Sequence, residues 1–283
     1  MTETPAFQTI RYERPADGVA RIVLDRPEVR NAQNKAMTYE LNTAFDRAAF
    51  DPEVKVIVLA ADGPHFSSGH DLRDRSPMSD FEPVGTWGEF EKPGAEGYMA
   101  VEYEIYLGMC WRWRNLPIPT IAQVQGKTIA GGLMLMWVCD LVIASDDATF
   151  SDPVVAFGVN GVEYFAHPWE LGVRKAKEML FTGEAIGAEE ARQLGMVNRV
   201  VPRAELADET LQLASKIASR PSMGLKLAKQ SVNQAQDAQG FWTALQAAMS
   251  LQQLGHSNNA QVHGIVVDPA GAEIIRKEAK GEA

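Results

Sequence analysis

The stretch VKVIVLAADGPHFSSGHDL, at residues 54–72, decides the fold class of this chain. Residues 54–60 form a β-branched apolar run, which is typical of a strand buried on both faces. The turn signal Asp62-Gly63-Pro64 ends this strand. The segment HFSSGHDL that follows contains small residues around Gly69, so a ligand can approach the backbone closely there. We therefore predict a buried strand that leads directly into a binding loop.

The rest of the N-terminal half repeats this alternation of strand and helix signals. Strands are predicted at residues 19–24, 119–124 and 141–144, and helices at residues 36–50 and 131–139. Such alternation favours an α/β architecture built from right-handed crossovers. From residue 173 the pattern is mostly helical, with helices predicted at 173–181, 188–194, 204–219, 221–233 and 241–254 and a short strand at 196–201. We expect a core at residues 1–200 and a helical region at 201–283 that is suited to packing on a neighbouring subunit.

Composition and charge narrow the class of protein. The 283 residues are 46% hydrophobic and 23% charged, and the formal net charge is −10. An acidic chain disfavours nonspecific nucleic-acid binding, which relies on Lys and Arg. Residues 1–8 lack the apolar core of a secretory signal, and the longest apolar run, 129–138, is too short to span a membrane. Cys110 and Cys139 lack CxxC spacing and are expected to be buried free thiols, so a cytoplasmic location is predicted.

Residues 73–99 have a different composition, rich in Pro and Gly and without clear periodicity. A segment of this length is commonly a functional lid or a surface insertion. Both interpretations stay open: a lid over a ligand pocket, or an ordinary surface excursion.

A second glycine segment, Gly126-Lys127-Thr128-Ile129-Ala130-Gly131-Gly132, runs from a predicted strand into a predicted helix. A helix N-terminus offers unpaired N–H groups and partial positive charge, which suit a developing oxyanion. The alternative is that both glycine segments are tight turns with glycines needed only for packing.

An ordered set of short motifs runs through the chain. It comprises Arg26-Pro27, Asn31-Ala32, Phe66-Ser67-Ser68-Gly69-His70-Asp71-Leu72, Gly126, Gly131-Gly132, Cys139-Asp140-Leu141, Phe150-Ser151-Asp152-Pro153, Thr182-Gly183 and Ala191-x-x-Leu194-Gly195-Met196-Val197-Asn198. In order and spacing this set resembles the enoyl-CoA hydratase/isomerase (crotonase) superfamily over residues 7–235. The resemblance implies a crotonase-like α/β fold: a core of repeated ββα units with a C-terminal helical region, assembled as a homotrimer or as a hexamer of two trimers.

The resemblance also implies the site and its ligand. The backbone N–H groups of His70 and Gly131 would hold the thioester carbonyl of an acyl-CoA substrate. Coenzyme A would enter as part of that substrate, with no other bound cofactor. Its contacts would come from two segments, namely Arg26, Asn31 and Ala32 in the first and Phe66, Ser67, Ser68, Gly69, Asp71 and Leu72 in the second.

The chain departs from the hydratases of this superfamily at the two positions that carry their glutamates. Met134 stands three residues after Gly131, and Val154 follows the Phe-Ser-Asp-Pro turn. These side chains would contact substrate, but a thioether and an isopropyl group cannot position water or move protons. Hydration by the usual pair of glutamates is therefore not expected.

Glu163 is the leading candidate for the missing acid–base group, because related branches place an acidic residue near this position. Its neighbours Val162, Tyr164 and Phe165 are apolar, which would suit a carboxylate to proton transfer. The alternative is a solvated loop acid or a partner for Arg174 or Lys175.

Three further ionisable residues have possible roles. The His70 imidazole could also move protons. Asp71 fits a structural cap or ion pair better than catalysis, and His167 fits packing at a helix start better than a partnership with Glu163. A metal site built from His65, His70 and Asp71 has no supporting second cluster.

The sequence thus predicts an acyl-CoA-processing lyase, isomerase or hydrolase. Two alternatives remain: a crotonase-like protein that binds acyl-CoA without catalysis, and a hydrolase that cleaves a carbon–carbon bond in a diketone without CoA. Nucleotide-binding glycine motifs and the GxSxG nucleophile motif are both lacking.

Overall fold

The structure is a computed structural model, and it describes residues 7–278. Within that range the chain forms nine strands and ten α-helices. The strands are β1 (Ile10–Ala16), β2 (Val19–Leu24), β3 (Val56–Ala61), β4 (Thr120–Val124), β5 (Lys127–Ile129), β6 (Leu141–Ser145), β7 (Thr149–Ser151), β8 (Ile186–Gly187) and β9 (Arg199–Val201). The helices are α1 (Lys35–Phe50), α2 (Ala95–Glu102), α3 (Met109–Arg114), α4 (Gly131–Trp137), α5 (His167–Thr182), α6 (Ala188–Leu194), α7 (Leu206–Ala218), α8 (Ser222–Ala238), α9 (Phe241–His263) and α10 (Gly271–Glu278). A π-helical segment, Tyr103–Gly108, joins α2 to α3.

The main sheet has six strands in the order β1-β2-β3-β4-β6-β9. β1 and β2 are antiparallel, and every other neighbouring pair is parallel. In β3, Ile57 and Leu59 face the core under α1 and α4, whereas Val56 and Val58 face a second apolar cluster. Since successive side chains alternate between faces, a strand covered on both sides must be apolar throughout. This explains the continuous apolar run at residues 54–60.

A second, smaller sheet has the order β5-β7-β8, with β5 parallel to β7 and β7 antiparallel to β8. Each unit therefore places one strand in the main sheet, one short strand in the small sheet and then a helix, as in β4-β5-α4 and β6-β7-α5. The predicted α/β core of ββα units with a helical C-terminal region is confirmed. Strands β1, β5, β7 and β8 were not predicted.

Element boundaries were predicted with mixed success. The bounds of β2 and α6 agree with the prediction. The strand expected at 196–201 begins only at Arg199, and the helix expected at 173–181 begins at His167. Gly172, with φ 73° and ψ 158°, interrupts α5 and divides its helical pattern, which is why only its second half was recognised.

The first C-terminal helix, α7, packs directly on the main sheet. Its Leu206, Ala214 and Ala218 complete the second apolar cluster with Val19 and Val58, among others. The division of the chain near residue 200 stays a prediction. None of the helices within residues 7–278 combines the length and hydropathy that a membrane crossing requires.

The segment at residues 73–99 is largely irregular, apart from a single turn at Met78–Asp80, but α2 already begins at Ala95. Buried Glu104 anchors the segment, because its carboxylate accepts hydrogen bonds from the backbone N–H groups of Val84 and Gly85 at 2.6 and 2.8 Å. A role as a lid stays a prediction.

Candidate active site

The first wall of the site is the turn at residues 26–32, after β2. Arg30 and Asn31 have φ angles of 55° and 51°, a region that asparagine tolerates better than most residues. The Asn31 side chain accepts a hydrogen bond from the Arg26 N–H and donates to the carbonyls of Asp62 and His65, at 2.9, 2.9 and 3.0 Å. Asn31 therefore ties this turn to the segment that follows β3.

The first glycine loop lies against the second. Ser67 is buried, donates to the Asn31 carbonyl at 2.8 Å and forms a β-bridge with Thr128. Gly69 has a φ of 89°, and a Cβ there would lie 2.8 Å from the Ile129 carbonyl oxygen and 3.1 Å from the Gly131 nitrogen. Only glycine permits both this backbone conformation and this close approach.

Two backbone amides converge where the loops meet. Gly131 is the first residue of α4, and Ala130 before it has an unusual φ of 49°. Within residues 7–278, the N–H groups of His70 and Gly131 donate to no other protein group. Unpaired amides at a helix N-terminus are suited to bind a negatively charged oxygen. The structure thus brings the two predicted oxyanion-hole residues together; that they bind a thioester stays a prediction.

The predicted acid–base residues His70 and Glu163 are in direct contact. Nε2 of His70 lies 3.0 Å from Oε2 of Glu163, and their side chains are only 16% and 6% exposed. The imidazole also stacks on Tyr106, with ring centroids 3.8 Å apart. The ring lies over Gly131, where a Cβ would be 2.5 Å from Cε1 of His70.

An imidazole nitrogen and a carboxylate oxygen at this distance must share a proton, because two lone pairs facing each other would repel. The pair therefore holds one proton beside the two amides, in a position to donate or accept it. The alternatives for Glu163 are wrong: Glu163 is buried, Arg174 is exposed, and Lys175 pairs instead with Glu178 and Glu190.

Met134 and Val154 occupy apolar surroundings. Met134, on α4, is 0% exposed, and half-buried Val154 packs against the main core. Asp152 shapes this region, since its carboxylate accepts from the N–H groups of Val154 and Val162 at 3.2 and 3.0 Å. His167, at the start of α5, contacts Asp152 at 2.8 Å and not Glu163, in accord with the structural role expected for it.

An open cleft of about 410 Å³ lies beside the His70 ring. Its lining is Glu28, Val29, Arg30, Ala32, Ser68, His70, Asp71, Leu72 and Arg73. The Arg26 guanidinium does not point freely into this cleft, because it donates to the Ala32 carbonyl at 2.5 Å and to Asp71 at 3.0 Å. Arg30 and Arg73 are exposed cations that the sequence reading did not single out.

The remaining predicted residues have structural positions of their own. Phe66 is 0% exposed and packs in the main core, and its N–H donates to the Gln125 carbonyl at 2.8 Å. His65 accepts a hydrogen bond from the Lys127 N–H at 3.2 Å. Cys110 and Cys139 are both free thiols, as expected, but only Cys110 is buried, whereas Cys139 is half-buried.

Sequence reasoning missed the helical side of the site. Tyr98, Glu102 and Tyr106 recur every four residues along α2 and the π-helical segment, a spacing that indicates one shared helix face. Burial raises the pKa of Tyr106, and the nearby carboxylates of Glu163 and Glu102 add to the shift. The Tyr-x-x-x-Glu-x-x-x-Tyr spacing was the available signal.

A core of ββα units whose two glycine loops present facing amides is the arrangement of the crotonase class of proteins. The sequence profile of the Enoyl-CoA hydratase/isomerase family matches residues 14–266. The chain belongs to this family.

Individual relatives agree with this assignment. Over 266 residues, the chain is 47% identical to EchA13 of Mycobacterium tuberculosis, which carries a provisional enoyl-CoA hydratase name; the match covers 91% of this chain and 84% of the relative. A human protein, enoyl-CoA hydratase domain-containing protein 3, mitochondrial, is 38% identical over 75% of this chain and 66% of its own length. A crystal structure from Mycobacterium smegmatis, described provisionally as an enoyl-CoA hydratase, has 50% identity and a TM-score of 0.83, covering 92% of this chain and 99% of that one.

Proposed function

We propose that this protein processes acyl-CoA thioesters by stabilising negative charge on the thioester oxygen. The amides of His70 and Gly131 form the oxyanion hole, and the His70–Glu163 pair moves protons at the acyl group. The observation that carries this proposal is the position of that pair, which shares a proton at 3.0 Å directly over Gly131.

Two amides aimed at one oxygen stabilise an enolate more than the neutral thioester, because the negative charge develops on that oxygen. Loss of one such donor typically lowers kcat by about 10²–10³-fold. A proton removed from the α-carbon passes to the carboxylate of Glu163, which His70 holds in place. The same proton can then return to the same carbon or to another carbon of the conjugated system.

This proton movement favours isomerisation or another enolate reaction over hydration through a glutamate pair. Met134 and Val154 offer no group that could orient water. The exact reaction of the enzyme, as lyase or isomerase, then follows from the acyl group that it accepts.

The coenzyme A moiety would lie in the cleft beside Ala32, Ser68 and Leu72. Arg30 and Arg73 line this cleft and can neutralise the phosphates of coenzyme A. Coenzyme A is part of the substrate in this proposal, and no other cofactor takes part. We further propose a homotrimer or hexamer and a cytoplasmic location.

Exchange of acyl α-hydrogens for deuterium tests the proposal without requiring the natural substrate. Butyryl-CoA is incubated with the protein in D2O and its mass is followed. The wild type should exchange, and Glu163→Gln should reduce the rate by at least about 10²-fold. Glu184→Gln, an exposed matched change, should leave the rate unchanged. Absence of exchange by the wild type with both butyryl-CoA and crotonyl-CoA would contradict the proposal.

The second candidate is a non-catalytic acyl-CoA binder, which the replacement of both glutamates favours. Calorimetric titration with a non-reactive acyl-CoA distinguishes it, because binding without exchange is its expected result. Failure to bind any CoA ester would favour the hydrolase of a non-CoA diketone.

A further inference from the structure

A second buried pair of histidine and glutamate lies on the helical side of the site. Glu102, at the end of α2, is 4% exposed, and His256, on α9, is 6% exposed. Oε1 of Glu102 lies 3.2 Å from Nε2 of His256, and Oε2 accepts from the side-chain amide of Gln253 at 2.5 Å. A buried carboxylate is costly unless it is paired in this way.

The hydrogen bonds of His256 determine where its proton lies. Nδ1 is 2.6 Å from the carbonyl oxygen of Val266. A carbonyl can only accept, so Nδ1 carries a hydrogen. Nε2 then faces Glu102 either as a lone pair or as a second N–H group. At 3.2 Å the two atoms are within ion-pair distance, although their orientation does not form a hydrogen bond like the one between His70 and Glu163.

One continuous helix runs past both pairs; it consists of α2 and the π-helical segment, and we refer to it as the rod. Glu102 and Tyr106 lie four residues apart where α2 continues into the π-helical segment, and residues at this spacing lie about 5–6 Å apart on one face. Tyr106 stacks on His70 at 3.8 Å, while Tyr98, one turn earlier, meets His256 edge-on at 4.8 Å. π-Helical turns inside helices are frequent at functional sites.

We propose that Glu102 and His256 form a second proton-holding pair that is coupled to the His70–Glu163 pair and sets its affinity for protons. Glu102 and His256 are positioning residues in this scheme. When their pair loses its proton it becomes negative, and Glu163 and His70 then hold their own proton more tightly. The catalytic consequence rests on the proposed function, whereas the coupling between the pairs does not.

The charges around Glu102 act in the direction that this coupling requires. Burial raises the pKa of Glu102, His256 and Gln253 oppose this shift, and Glu163 adds to it. Burial lowers the pKa of His256, but Glu102 and Glu163 outweigh that effect and leave it raised. The half-buried phenol of Tyr98 also has a raised pKa, since burial and then both carboxylates disfavour its ionisation.

The other ionisable groups near the pair are few. Tyr106 faces it from the same rod, and Cys110, which the charge of Glu163 also reaches, follows one turn later. A cavity of about 540 Å³ borders Tyr98, Gln253 and His256, and Lys35 also lines it. Lys35 pairs with Asp74 at 3.6 Å.

Titration of the histidines by ¹⁵N NMR tests the coupling without any turnover. The chain has five histidines, so each signal can be assigned by substitution. In Glu102→Gln, the midpoint of His256 should fall by about one pH unit or more, because its carboxylate partner is lost. The midpoint of His70 should fall by a smaller but measurable amount, because a more distant charge is removed.

Glu104→Gln is the matched control. Glu104 is 2% exposed and lies on the same rod, but its carboxylate binds Val84, Gly85 and Tyr39 instead of the site. This variant should leave both midpoints unchanged. A His70 midpoint that is the same in Glu102→Gln and in the wild type overturns the proposal, as does an equal shift in Glu104→Gln.

The wild type itself supplies a second measurement in case Glu102→Gln does not fold. Coupled groups titrate in two steps, so the curves of His70 and His256 should each inflect at the midpoint of the other. Independent single-step curves overturn the proposal. The pH profile of deuterium exchange then distinguishes the proposed function from the coupling of the two pairs. A wild type without exchange contradicts the proposed function alone. An unshifted pH profile in Glu102→Gln contradicts the role of Glu102 and His256 in that function.

Discussion

Replacing Gly131 with alanine should disable the site while leaving the fold intact. The added Cβ would lie 2.5 Å from Cε1 and 2.7 Å from Nδ1 of His70, whereas an ordinary contact requires 3.4 Å or more. The imidazole must therefore move by about 1 Å, away from Glu163 and from the stack with Tyr106. A displacement of a catalytic group by about 1 Å costs about 10²-fold in rate.

The effect on stability should be small. Gly131 opens α4 with negative φ, and alanine is a better helix former than glycine by about 1 kcal/mol. This gain offsets part of the overlap with the His70 ring, which lies at the edge of a cleft and can rotate. At about 2–4 °C per kcal/mol, the melting temperature should change by only a few degrees.

The assay is the rate of α-hydrogen exchange, measured beside thermal unfolding. Gly224→Ala is the matched control, because its Cβ would meet nothing within 4 Å inside α8; it should stabilise the protein by about 0.5–1 kcal/mol and leave exchange unchanged. In a His70→Ala background, Gly131→Ala should add little further loss, since the ring it displaces is absent. Wild-type exchange in Gly131→Ala, or an undiminished loss in the double variant, refutes this reasoning.

Three further changes should have measurable effects. Asn31→Ala removes three hydrogen bonds from a turn at φ 51° and should lower the free energy of unfolding by about 2–4 kcal/mol in urea titrations; a loss below about 1 kcal/mol would contradict its structural role. Burial raises the pKa of Glu170 to about 7 against the opposing charge of Arg114, so the folded state binds its proton more tightly than the unfolded state. Relative to Glu170→Gln, wild-type stability should therefore fall as pH rises from 5 to 8, by up to about 3 kcal/mol, and a pH-independent difference would refute this. Burial raises the pKa of Cys110 well above its usual value, so a disulfide reagent at pH 8 should label this thiol only after unfolding; rapid labelling of Cys110 in the native protein would be inconsistent with its burial.

The sequence predicted those strands and helices that are long enough to carry a recognisable apolar pattern. The apolar run at residues 54–60 is a strand because it is covered on both faces, and its bounds were nearly correct. Short strands such as β5 and β8 escaped prediction because two or three residues carry no periodicity, and pairing alone defines them. The part of α5 before Gly172 was not predicted, because a break in φ and ψ divides the apolar pattern there.

In the candidate site, too, some residues could be recognised from the sequence, whereas the contacts between distant residues could not. The glycines at positions 69 and 131 were recognisable from sequence: a Cβ at Gly69 would meet the backbone of the second loop, and a Cβ at Gly131 would meet the ring of His70. The contact between His70 and Glu163 joins residues 93 positions apart, and that between Glu102 and His256 joins α2 to α9. Such contacts depend on the angle and register at which elements pack.

The sequence by itself therefore determined the family, the order of the longer strands and helices and the two glycine loops, because these are encoded by residue types at short spacing. Tertiary structure alone decided which acids and histidines meet, because a shift of one residue in register or about 1 Å in packing would separate them. For this protein, that decision placed a shared proton beside the two amides and left Met134 and Val154 in apolar surroundings.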